Sequence, residues 1–272
     1  MYVDGEDRRV IAGAALGTGL VTLGLWALVG PVALAFAVAA ALAIVMTVQF
    51  DHFRRAKEQA TQNLRQVQAL FTLSAQIETR KPLPPLTGWA ATPELAAWVV
   101  ALIRETEPRT VVELGSGAST VLIAYALEQQ GGGRVVSLDH DAAYAEQTRA
   151  RLRLHGLNDV AEVLDAPLRP LTLNGEARTW YDVGGLALPD TIDLLLVDGP
   201  PHASERQARY PALPVLADRL SDRAVIVLDD ADRADERAIV AAWCERFGFE
   251  AEYADTIKGA AILRRGSHTP AA

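Results

Sequence analysis

The chain has 272 residues, half of them apolar, a formal net charge of −8 and a single cysteine, Cys244. That composition excludes a disordered chain and an intrachain disulfide framework, and it leaves no basic stripe on which a nucleic acid could bind. Cys244, within Trp243-Cys244-Glu245, reads as a packed thiol on a half-buried helix.

The first 50 residues contain two apolar runs, 10–29 and 32–50, free of charged side chains and separated only by Gly30-Pro31. Each is long enough to span a bilayer as a helix. The pattern predicts a transmembrane helical hairpin over residues 1–50, in preference to a cleaved signal peptide or a buried hairpin. Arg8 and Arg9 precede the first run, and Arg54, Arg55 and Lys57 follow the second, so both flanks are expected in the cytoplasm. Gly13, Gly17 and Gly24 fall on one helical face and invite close backbone packing.

Residues 51–83 are read as an amphipathic helix and a proline-rich linker. Phe53, Ala56, Ala60, Leu64, Val67, Leu70, Phe71 and Ile77 form a stripe of roughly heptad spacing. The stripe suits packing on the following domain, lying on a membrane, or forming a homodimer through the 51–80 helix. Lys81-Pro82-Leu83-Pro84-Pro85 then breaks any helix. Thr92-Pro93-Glu94 reads as an N-cap with proline at the first helical position, opening a helix to about Arg104.

From there strands and helices alternate. Strands are expected at 110–114, 134–138, 161–164, 192–197, 224–228, 249–253 and 260–264, and helices at 118–128, 142–155, 206–219 and 233–247. This order predicts an α/β domain over 84–266, a mostly parallel sheet with helices on both faces, followed by a disordered tail at 267–272.

In such a sheet ligands collect at the carboxyl ends of the strands. Glu113-Leu114-Gly115-Ser116-Gly117 marks the turn from the first strand into a helix, and glycines there let backbone approach a ligand closely. Thr120 replaces the third glycine of a dinucleotide fingerprint. A carboxylate beside the loop suits a cationic sulfonium and amino group better than a diphosphate. Asp139, ending the second strand, is placed to accept from ribose hydroxyls, and Asp165, ending the third, to meet an adenine amine. His140 is expected in the wall of the same pocket.

These residues resemble class I S-adenosylmethionine-dependent methyltransferases: Glu113, Gly115 and Gly117 match the first motif, Asp139 the second and Asp198 the fourth. The resemblance implies a Rossmann-like seven-stranded sheet with its last strand antiparallel, and S-adenosylmethionine as cofactor. Val197-Asp198-Gly199-Pro200-Pro201-His202 and Leu228-Asp229-Asp230-Ala231 form two acidic turns similar to those of catechol-type, metal-dependent O-methyltransferases. That likeness implies a magnesium or calcium ion held by Asp198, Asp229 and Asp230. Asp230 stands where that group has asparagine, and Pro201 where it has its catalytic lysine. His202 is then the substitute base, with Asp198 as its catalytic neighbour. Trp89, Trp180 and Tyr181 are aromatic candidates for the acceptor pocket, and the segment 167–189 is read as a specificity insertion.

The leading expectation is a membrane-anchored methyltransferase on the cytoplasmic side, methylating a small or lipid-linked hydroxyl. The competing readings are an aminopropyl transferase, a nicotinamide oxidoreductase, and a tethered cofactor-binding scaffold without turnover.

Overall fold

The computed structural model describes residues 5–86 and 90–266. The chain divides into two compact units, Met1–Gln62 and Asn63–Ala272. Helix α1 (Gly5–Gln76) begins in the first and ends in the second, and its one non-helical residue is Gly30, at φ 81° and ψ 167°. The break falls where Gly30-Pro31 separates the apolar runs, because proline cannot supply the amide a continuing helix needs. Within the first unit, Cβ atoms added at Gly17 and Gly24 would meet nothing within 4 Å, so the close packing expected of those glycines is not made among the described residues. Among these residues one helical stretch, Gly30–Gln76, is long and apolar enough to cross a membrane, and its large side chains, such as Phe36, Met46 and Phe50, are exposed.

In the second unit the end of α1 packs through Ile77 of the expected stripe and not through the rest of it. Leu64, Val67, Leu70 and Phe71 are exposed, whereas Leu73 and Ile77 are core residues and Arg65 and Ala69 are half-buried. Positions 65, 69, 73 and 77 follow the four-residue step of one helical ridge. Arg65 fixes the rotation: its guanidinium pairs with Glu94 at 3.1 Å and with Asp255 at 3.1 Å, and donates to the Asp255 carbonyl at 2.7 Å.

Helix α2 (Pro93–Thr106) starts as its sequence dictates, with Thr92 as N-cap accepting from the Leu95 amide. Then come β1 (Thr110–Leu114), α3 (Ala118–Gln129), β2 (Arg134–Asp139), α4 (Ala142–His155) and β3 (Ala161–Asp165). After a hairpin of β4 (Leu168–Leu173) and β5 (Glu176–Tyr181) follow β6 (Ile192–Val197), α5 (Ala212–Leu216), β7 (Leu220–Asp229), α6 (Ala234–Phe247), β8 (Phe249–Ala254) and β9 (Ala260–Arg265). The seven-stranded sheet runs β3-β2-β1-β6-β7-β9-β8, parallel through β7, with β9 antiparallel to both its neighbours. Side chains alternate across it: Val111, Val135, Leu194 and Val225 face a core with α2 and α3. Val112, Val136, Leu195 and Ile226 face a second core with α5 and α6.

Two expectations are corrected. The helix at 206–219 shrinks to α5 and a short 3-10 turn, Ala217–Arg219, because Pro211 and Pro214 remove two amide donors. The segment read as a loop insertion is a hairpin closed by Asn174-Gly175, both at positive φ, the turn chemistry that suits a two-residue connection.

The linker is secured at Arg80. Its guanidinium binds Glu128 and the carbonyls of His155 and Gly156, while its amide donates to the Tyr125 hydroxyl. That hydroxyl lies 2.9 Å from Nδ1 of the buried His155. With the Arg80 amide already donating to it, the hydroxyl has its own proton to offer His155 when Nδ1 carries none. Burial, with Arg80 and Lys81 adding to it, pushes the His155 pKa below 6.5. As pH falls below about 6.5 the unfolded chain takes up a proton that the folded one resists. Stability from this group is therefore full above that pH and lost below it. Melting curves between pH 7.5 and about 5 should show an acid-side decline that His155→Gln reduces. Tyr125→Phe should cost about 1 kcal/mol, roughly 2–4 °C. An unchanged acid slope in His155→Gln would refute the assignment.

Candidate active site

The turns at the carboxyl ends of β1, β2 and β6 meet in one open cleft of about 200 Å³. Its walls include Ala90, Ala91, Gly115, Ser116, Asp139 and His140, with Tyr144, Tyr181, Asp198 and Gly199 completing the mouth. The sheet ladder extends into these turns: Gly115 N donates to Leu138 O at 2.8 Å, and Asp198 N donates to Leu114 O at 3.0 Å. Gly115 has φ +99°, and a Cβ there would lie 3.4 Å from the Asp198–Gly199 peptide. Gly199 makes the same concession on the other side, since a Cβ would overlap the Tyr181 hydroxyl. A side chain at either position would close the cleft floor.

Asp139 is nearly buried and organises the loop. One carboxylate oxygen accepts from the Ser116 amide at 3.0 Å and the Ser116 hydroxyl at 2.6 Å; the other accepts from the Asp141 amide at 3.0 Å. His140 Nδ1 is 3.6 Å from it. Asp141 caps α4 by accepting from the amides of Ala143 and Tyr144. Among the residues expected to bind cofactor, Gly115, Ser116, Gly117, Asp139, His140 and Asp198 all line the cleft.

Glu113 and Asp165 do not. Glu113 is fully buried beneath the loop, where its carboxylate accepts from the hydroxyls of Thr120 and Ser137, while Thr120 in turn accepts from the Gly117 amide at 2.9 Å. Burial raises its pKa against those donors. Its place is to brace the glycine turn from inside rather than to face a cation. Asp165 is exposed and engaged by Arg149 at 2.7 Å, an arginine that also donates to the Val163 carbonyl.

The acceptor candidates separate likewise. Tyr181 lines the cleft with its hydroxyl buried and without a partner, and burial, with Asp139 next, holds its pKa well above 10, so it stays a donor. Trp180 is packed in the core under the hairpin, edge-on to Tyr181 at 5.0 Å. Trp89 lies outside the described residues. His202 is exposed, because Ser204 bonds back to the Pro201 carbonyl through its amide and hydroxyl and closes a surface turn. His140, set edge-on to Tyr181 at 6.4 Å, is the imidazole in the cleft wall.

Asp198, Asp229 and Asp230 converge as expected, with one oxygen from each within 4.8 Å of the others. No local pattern announces Arg209, which is 3% exposed and enters this cluster from the segment before α5. Its NH2 donates to Asp230 at 2.9 Å and lies 3.3 Å from Asp198, and NH1 and NH2 also donate to the carbonyls of Asp229 and Asp198 at 2.8 and 3.0 Å. Arg233 binds Asp230 from the other side at 2.8 Å. Burial, with Asp229 adding to it and Arg209 opposing, pushes Asp198 well above the usual carboxylate range. Burial and then Asp230 raise Asp229, whose two oxygens have no donor. The expected magnesium or calcium fits the set poorly, because the Arg209 guanidinium already contacts carboxylate oxygens of Asp198 and Asp230, two of the three ligands, and Asp230 also accepts from Arg233.

Residues 112–231 match the family described as "Methyltransferase domain". The fold is similar to that of the methyltransferase PaMTH1 from Podospora anserina, bound to S-adenosylhomocysteine, at 13% identity and a TM-score of 0.53, covering 74% of this chain and 88% of that one. It is also similar to the O-methyltransferase TomG from Streptomyces achromogenes, in complex with S-adenosylmethionine: 19% identity, TM-score 0.51, covering 72% and 90%. An O-methyltransferase from Bacillus cereus, in complex with S-adenosylhomocysteine, gives 18% identity, a TM-score of 0.51 and coverage of 74% and 90%. No curated protein matches the chain. Sequence match and sheet order agree on a Rossmann-like domain of the methyltransferase type.

If Glu113 braces the loop as an acceptor, Glu113→Ala strands the hydroxyls of Thr120 and Ser137 in the interior and should cost about 1–3 kcal/mol in urea denaturation. Glu113→Gln, which keeps an acceptor oxygen, should cost less; equal losses would show that the acceptor is not what matters.

Proposed function

We propose that this chain is an S-adenosylmethionine-dependent methyltransferase that methylates an oxygen acceptor, small or lipid-linked, next to a membrane. The observation that carries this is the cleft itself, where the Gly115-Ser116-Gly117 turn, Asp139 and the orphaned Tyr181 hydroxyl share one wall. The residues fit the cofactor. Asp139, held by two amides and a hydroxyl, keeps one lone-pair site, on the oxygen that accepts from Asp141, for a hydroxyl such as that of a ribose. Tyr181 offers a buried donor, and the glycine turn admits close backbone contact.

When bound, the sulfonium supplies an activated methyl group for in-line transfer to a nucleophile. The protein's part is alignment and exclusion of water. Ala90, Ala91 and Tyr144 line the cleft, and His140 stands in its wall as an imidazole able to accept a proton. The oxygen preference draws on the named O-methyltransferases of the same fold.

The membrane reading draws on the exposed apolar helix Gly30–Gln76 and on the uncharged runs on both sides of Gly30-Pro31. Two spans with the catalytic unit in the cytoplasm follow from the arginines at both flanks.

Calorimetry of the full chain with S-adenosylmethionine and with S-adenosylhomocysteine should show binding to both. Asp139→Ala should weaken it by about 10–100-fold, the value of lost charge-assisted hydrogen bonds; no binding to either compound would sink the enzyme reading. In expressing cells the protein should stay with membranes through alkaline carbonate washing, and a reporter fused after residue 272 should be active in the cytoplasm. Release by carbonate would remove the anchor.

A further inference from the structure

The acidic cluster beneath the cleft is surrounded by the chain's own cations. Arg209 is anchored by four contacts: the carbonyls of Asp198 and Asp229, and the carboxylates of Asp198 and Asp230. Those carbonyls belong to the ends of adjacent parallel strands, β6 and β7, so the guanidinium ties the two strand ends together and cannot leave without stranding both. Arg233 closes the far side of Asp230 and approaches Glu236 at 3.7 Å. Lys258 acts on Asp229 from the turn whose carbonyl accepts from the Asp232 amide at 3.1 Å. Asp230 is therefore flanked by Arg209 on one side and Arg233 on the other.

We infer that Arg209 is the resident cation of the Asp198 and Asp230 carboxylates, and that the site they form with Asp229 takes no divalent metal. A planar, permanently charged guanidinium matches paired oxygens as an ion would, yet it offers no open coordination position. A metal in this position can polarise and chelate an acceptor through two oxygens; Arg209, buried behind the strand ends, holds the cluster without presenting itself for chelation. Resting on the methyltransferase reading, the acceptor class follows: a single hydroxyl recognised by the cleft walls, with no requirement for a vicinal oxygen pair.

The test reads the metal without the methyl donor, so its failure is separate from failure of the cofactor assignment. Full-length protein in detergent micelles is titrated with Mn²⁺ and free ion is followed by electron paramagnetic resonance. Wild type should leave Mn²⁺ free at millimolar concentration, and any binding that survives Asp229→Asn lies elsewhere and agrees with the inference. Arg209→Met should gain binding by about tenfold or more, through removal of the adjacent charge, and Asp198→Asn in that background should abolish the gain. Wild-type binding that Asp229→Asn abolishes would overturn the inference, as would a folded Arg209→Met that still takes up no Mn²⁺. If Arg209→Met does not fold, the wild-type and Asp229→Asn titrations decide alone.

Discussion

Strand β1 pairs in parallel with β2 on one side and β6 on the other, and the site depends on that double pairing. Its register sets Glu113 opposite Ser137 and Leu114 opposite Leu138 and Val197. The chain leaves β1 towards β2 and β3 and later returns to β6 and β7, with α3 packing on one face and α5 on the other. Because the connections part to opposite faces, the carboxyl ends of β1 and β6 leave a crevice between them. Gly115 and Gly199 line that crevice with bare backbone. Glu113, whose strand position turns it towards the α3 side, becomes the internal support of the glycine turn.

Arginines, buried at 209 and partly exposed at 65 and 80, perform the remaining joins. Arg209 ties β6 to β7, Arg80 ties the linker to α3 and α4, and Arg65 ties the end of α1 to α2 and the turn before β9. In each case the guanidinium reaches backbone carbonyls as well as a carboxylate, using the several donors of its fork. Net stabilisation from such pairs is small, because desolvation cancels much of the attraction. Their effect is geometric, fixing which segment ends meet and in which rotation. The face of α1 that packs is the clearest case. Of its apolar stripe Ile77 turns inwards beside Leu73, while Leu64, Val67 and Phe71 stay exposed, and Arg65 makes its ion pairs from the ridge that packs.

Most of the fold was legible from the order of residues. All seven sheet strands begin and end close to the expected positions, because each pairs a β-rich apolar run with a glycine, proline or acidic terminus. The cleft residues from Gly115 to His140 were legible for the same reason, being strand ends. Some features were available and overlooked: Asn174-Gly175 announced a hairpin, and Pro211 and Pro214 announced a shortened helix. Others had no local signal. Trp180 and Tyr181 are neighbours in sequence, yet strand alternation sends one into the core and the other to the cleft. Asp139 and Asp165 both end strands, but Arg149 takes the second.

The sequence by itself determined the elements, their alternation and the carboxylates at the strand ends, because periodicity and turn chemistry act over a few residues. Tertiary structure alone decided what those carboxylates face. Arg209 is separated from Asp229 by 20 positions and has no periodic relation to it; the two meet only once β6 and β7 lie side by side. Charge pairing across a packed interior is set by proximity in space, and the order of residues along the chain carries no direct record of it.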